Sequence, residues 1–140
     1  MALLDAAAQN ASLDNDYGGS KGPHAPNAFT LELWAGDPAN GGVQMDNAGG
    51  YAPVTVTNNG TNFPPADADA KTCAAQTFPS STGEWTAGGN PDVATHWLLR
   101  DTATGAAWDY AELVDEISVE AAGTEVTVQP VIFYNGGLDA

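Results

Sequence analysis

The chain has 140 residues, enough for one ordinary domain with a real core. Its 18 Asp and Glu face only Lys21, Lys71 and Arg100, a formal charge of −15 that argues against nucleic acid, because duplex binding needs cations to displace condensed counterions. No apolar run approaches the roughly 20 residues that cross a bilayer, and Met1-Ala-Leu-Leu-Asp5 lacks the basic stretch of a signal peptide, so a soluble product without membrane contact is expected.

Leu3, Leu4, Ala7, Ala8 and Ala11 recur at helical spacing and predict a short amphipathic helix over Ala2 to Leu13, with Asp5 in its first turn. From Asp14 to Asn27 the residues turn to Gly, Pro, Asn and Asp, which favour extended coil. Residues 1–27 therefore read as a helix and extended arm, and 28–140 as the β domain. A helix this short is not stable alone, so the arm is expected to order on a neighbour, burying Leu3, Leu4 and Leu13, and its deletion to leave the domain folded.

Beyond Asn27 the period changes to two. Phe29, Leu31 and Leu33 alternate with Thr30, Glu32 and Trp34 as in a strand with one buried face. Val54 and Val56 mark a second strand within Tyr51 to Thr57, starting after Pro53 or lying at an edge. Further strands are expected at Thr72 to Phe78, Thr95 to Asp101, Ala107 to Leu113, Ile117 to Glu120 and Glu125 to Tyr134. Hairpin-length turns stand at Asp101 to Gly105 and Ala121 to Thr124. The fold class is thus mainly β, a single antiparallel β-sandwich or barrel with a short N-terminal helix and long loops at 36–50, 58–71 and 80–92. Cys73, followed by two alanines, reads as a small buried filler.

Residues for chemistry are sparse. His24 and His96 are the only imidazoles, and no motif assembles a nucleophile with a base held by a third group, so no enzymatic activity and no cofactor are expected. Asp14-Asn-Asp16, Asp46-Asn47 and Asp67-Ala-Asp69 offer hard oxygen ligands, but none matches the EF-hand spacing; turn formation is the favoured reading, with no metal site. Of the four tryptophans, Trp97 and Trp108 near strand ends read as core, whereas Trp85, in a loop beside Glu84, reads as an exposed contact together with Tyr51.

Several pieces in order resemble small tailed-phage virion proteins, a family usually labelled phage tail fibre or minor structural protein. They are Phe29-Thr-Leu-Glu-Leu-Trp34 with Gly36-Asp37-Pro38, Gly49-Gly50-Tyr51-Ala52, Phe78-Pro-Ser-Ser-Thr-Gly83 with Trp85, and Thr95-His96-Trp97 running into Arg100-Asp101-Thr-Ala-Thr-Gly105. The resemblance implies a β-sandwich subunit that builds or coats a virus particle. The leading expectation is a capsid decoration, or cement, protein on the capsid exterior. It would bridge major capsid protein subunits, act as a homo-oligomer with a trimer favoured, and reside in the host cytoplasm before assembly. The alternative is a tail-fibre or tail-tip module binding a host receptor or glycan through Trp85, Tyr51 and Asn-rich turns. A calcium- or carbohydrate-binding β domain unconnected with a virus is the third.

Overall fold

The computed structural model describes residues 6–133, a mainly β architecture with one N-terminal helix. Helix α1 spans Ala6–Asp16. The strands are β1 (Ala28–Ala35), β2 (Val43–Gln44), β3 (Val54–Thr57), β4 (Ala70–Thr72), β5 (Gln76–Thr77), β6 (Thr86–Ala87), β7 (Asn90–Pro91), β8 (Ala94–Asp101), β9 (Ala107–Ile117), β10 (Thr127–Val128) and β11 (Val131–Phe133).

Alternation builds the main sheet. β1 pairs antiparallel with β8, placing Leu31 opposite Leu99 and Leu33 opposite Trp97, with all four buried. β8 pairs in turn with β9, and β2 and β3 share the other edge of β1, giving a five-stranded sheet. β3 begins directly after Pro53, as the missing amide of that proline requires. The β8–β9 connection is the expected turn: Asp101 accepts the Gly105 amide at its carbonyl and the Ala103 amide at its carboxylate, and Gly105 takes the left-handed conformation.

The second layer is a long ribbon whose partners lie far apart in the chain. β4 pairs with β11 and β5 with β10, all antiparallel. Cys73–Ala75 lie opposite only Gln129 and Pro130, a bulge at the one residue that cannot donate a ladder bond. Amides of Phe78 and Ser81 extend the pairing to the carbonyls of Val126 and Thr124. Buried Phe78, Val126, Val128 and Ile132 from this ribbon join Phe29, Leu31, Leu33, Trp97 and Leu99 in one core cluster. The described strands form no closed barrel, so of the two expected architectures the sandwich-like one is observed.

Several expectations change. Residues 118–120 form no strand; Val119 is buried, and its carbonyl accepts the Trp85 amide. The turn at Ala121–Thr124 closes no hairpin between neighbours but is pinned to Ser81, whose hydroxyl donates to the Ala121 carbonyl. Within the expected loop 80–92, Gly88 and Gly89, both at positive φ, close the two-residue hairpin β6–β7.

The N-terminal segment is part of the body. α1 runs on to Asp16, and its docked face is Asn10, Leu13 and Asp14 with Tyr17 beyond, while Ala7, Ala8 and Ala11 are exposed. Leu13 and Tyr17 are buried, and Tyr17 packs on Phe29 and Phe63 at ring-centre distances of 5.4 and 5.3 Å. Asn58, 1% exposed, ties the following coil down: its amide nitrogen donates to the carbonyls of Asp16 and Pro26, and its oxygen accepts the Gly18 amide.

Candidate attachment surface

Of the five residues expected to meet a partner, Leu3 and Leu4 lie outside the described residues, and the other three are internal. Leu13 anchors α1 in the core rather than on a neighbour. Tyr51 is 2% exposed, and its hydroxyl accepts the Leu33 amide at 3.0 Å. That bond fills a notch in the ladder, because β3 pairs with β1 up to Leu31 and β2 resumes only at Trp34. Trp85 is fully buried, edge-on to Tyr51 at 5.3 Å, and its indole N–H has no hydrogen-bond partner among the described residues. Tyr51 follows Gly50, and Trp85 stands two residues after Gly83, because two loops cross there: a Cβ on Gly49 would sit 2.3 Å from the Glu84 carbonyl oxygen. The glycine pair at the end of the expected loop 36–50 is the signature of close backbone approach.

Ionisable groups inside the body serve packing. Lys71, 2% exposed, donates to the Asp14 carboxylate, which also accepts the Ala66 amide. Burial pushes the Asp14 carboxyl up, but these two donors outweigh it and hold it below the usual range. Asp109 is pushed up, mainly by burial, although its carboxylate accepts the Tyr110 amide and the Tyr17 hydroxyl. Burial also drives the Cys73 thiol up to about 12, so it is an unreactive filler. Among the described residues no three of His, Cys, Asp and Glu converge as metal ligands. Asp46 is already used as a tie, its carboxylate accepting Thr86 Oγ1 and the amides of Ala48 and Gly89. No described helix is long and apolar enough to cross a membrane.

Two surfaces remain open. The outer face of the main sheet sets Trp34 beside His96, and Glu32 beside Leu98 and Tyr110, in cross-strand rows. At its centre Glu32, 5% exposed, takes Arg100 Nε at 2.9 Å and Nη2 at 3.1 Å, and accepts Trp34 Nε1 at 3.0 Å. This face is polar and internally satisfied.

The other surface is a groove of about 520 Å³ between the second half of β9 and the end of the ribbon. Leu113–Glu116 lie opposite Thr95 alone, so this stretch bulges away from β8. The bulge makes one wall, Thr127–Phe133 the other, and Trp97 and Ala111 lie between them. Val114 is 99% exposed and Phe133 65%, while Asp115 and Glu116 add carboxylates to the bulged wall. Sequence reading missed these residues; the available signal was Leu113-Val114-Asp115-Glu116-Ile117, where strict alternation fails. No known protein family, curated protein or solved structure matches the chain.

Proposed function

We propose that the chain is a non-catalytic structural subunit of a tailed-phage virion, a capsid decoration protein that attaches to the outside of the head and bridges major capsid subunits, as a homo-oligomer with a trimer favoured. The observation that carries an attachment role is the exposure of Val114 and Phe133 beside an apolar groove. Large apolar side chains gathered at one concave place mark surfaces that another molecule covers. The ordered sequence pieces direct this role to a virus particle, and a charge of −15 keeps the free subunit soluble and away from the packaged genome. The test is co-sedimentation of the purified protein with undecorated heads and with isolated tails. Saturable binding to heads is expected; binding to tails alone, or to neither, would overturn the proposal.

A second reading follows from the outer sheet face. Trp34 and the half-exposed Tyr110 flank the Glu32–Arg100 pair there, and aromatic faces beside fixed polar groups suit sugar rings. A tail-fibre or tail-tip module would bind a host glycan through Trp34 and Tyr110 rather than through Trp85 and Tyr51. A glycan array probed with the wild-type protein and with Trp34→Ala decides it: specific binding lost in the variant favours this reading, and no binding removes it.

A further inference from the structure

We infer that the groove between β9 and β11 receives an extended protein segment in which aliphatic and basic side chains alternate, supplied by the partner to which the subunit attaches. The inference rests on the attachment reading and names the chemistry of the partner.

Strand edges come first. β9 ends the main sheet, with no further described strand paired to it, and β11 pairs only with β4, leaving one edge open as it approaches β9. Two unpaired edges bordering one groove provide backbone donors and acceptors that an inserted strand can satisfy, the mode by which extended peptides add to exposed sheets. The groove is lined by Trp97, Leu113, Ile117, Val128 and Val131, which suits aliphatic side chains on one face of such a strand.

Charge selects the partner. The carboxylates of Asp115 and Glu116 border the groove, and among the described residues no lysine or arginine lines it. Two of the chain's three cations are engaged elsewhere, Lys71 with Asp14 and Arg100 with Glu32. A second copy offering its own β9 would set carboxylates against carboxylates, which is destabilising across strands. Lys or Arg at alternate positions of the incoming strand would meet these carboxylates while its aliphatic residues turn inward, since neighbouring side chains point to opposite faces.

The experiment titrates the full-length protein with a short synthetic peptide alternating valine and lysine, and with its valine–glutamate counterpart. The first should bind with one-to-one stoichiometry and the second should not. Affinity should fall as salt shortens the screening length from about 10 Å at 0.1 M to about 3 Å at 1 M. The double variant Asp115→Asn, Glu116→Gln should weaken binding roughly fivefold to tenfold, as for two partly exposed ion pairs. Both substitutions lie at exposed positions, so melting should be unchanged. Equal binding of both peptides, binding of neither, or indifference to the variant would overturn the inference. So would peptide binding that appears only after removal of residues 134–140, since the chain's own tail would then be the occupant, or a dimer dissociated by Val114→Ser. Peptide binding without head binding would sink the capsid reading and leave the groove; head binding without peptide binding would do the reverse.

Discussion

Asn58 shows how much one side chain can hold. It donates twice and accepts once inside the body, joining β3's end to residues 16–26, and a buried polar group stripped of its partner costs about 1–3 kcal/mol. Asn58→Ala should therefore lower the urea midpoint with little change in slope. Asn58→Asp should lower it further, because a carboxylate oxygen would then face the carbonyls of Asp16 and Pro26. The two aspartates Asp14 and Asp109 give opposite pH dependences. Asp109 has a folded value above its unfolded value of about 3.9, so the native state binds the extra proton and stability declines as pH rises from there through the folded value. Asp14 has a folded value below the unfolded one, so its contribution is present above about 3.9 and is lost as pH falls through the folded value. Asp109→Asn, which can still accept from Tyr17, should melt higher than wild type at neutral pH and converge with it in acid. Asp14→Asn should melt lower at neutral pH and also converge in acid. Thermal melts across the acid range check both signs.

At the scale of elements, the helix changes its meaning between sequence and structure. The alanine and leucine stripe suggested an outward-reaching arm, yet the docked face is largely polar: Asn10 accepts the Asp69 amide and Asp14 the Lys71 ammonium. Helical periodicity counts apolar residues and is blind to docking through hydrogen bonds, so Leu13 and Tyr17 were not legible as core. Deleting residues 1–27 should remove ring contacts to Phe29 and Phe63 and leave Lys71 without its carboxylate. The truncated protein should lose most of its stability, as read by urea unfolding, rather than fold normally and merely fail to attach. β1, β3 and β8 were legible because alternation and Pro53 are local signals, and Trp97 and Leu99 share the buried face that alternation assigns them. The ribbon was not, because pairing Gln76–Thr77 with Thr127–Val128 depends on non-local register that no local pattern carries. Tyr51 and Trp85 were misplaced because glycines beside them can mark either an exposed turn or two backbones in contact. Tyr51→Phe separates these readings: as a ladder substitute its loss should cost about 1–3 kcal/mol, whereas an exposed tyrosine would tolerate the change.

Over the whole molecule, burial and exposure divide the work. The tryptophans read from sequence as candidate contacts or core lie largely inside, the outer sheet face satisfies its own charges, and the apolar exposure beside a cavity falls between β9 and β11. Attachment through that groove would join apolar burial to charge pairing, so a partner with alternating basic residues would bind less tightly as salt rises. The most direct measurement is the binding isotherm of wild-type protein and of the double variant Val114→Ser, Phe133→Ser on undecorated heads. Both side chains are exposed, so folding and melting should be unchanged. Loss of head binding by the variant at wild-type stability is the predicted result; an isotherm that superimposes on the wild type would contradict attachment through this surface.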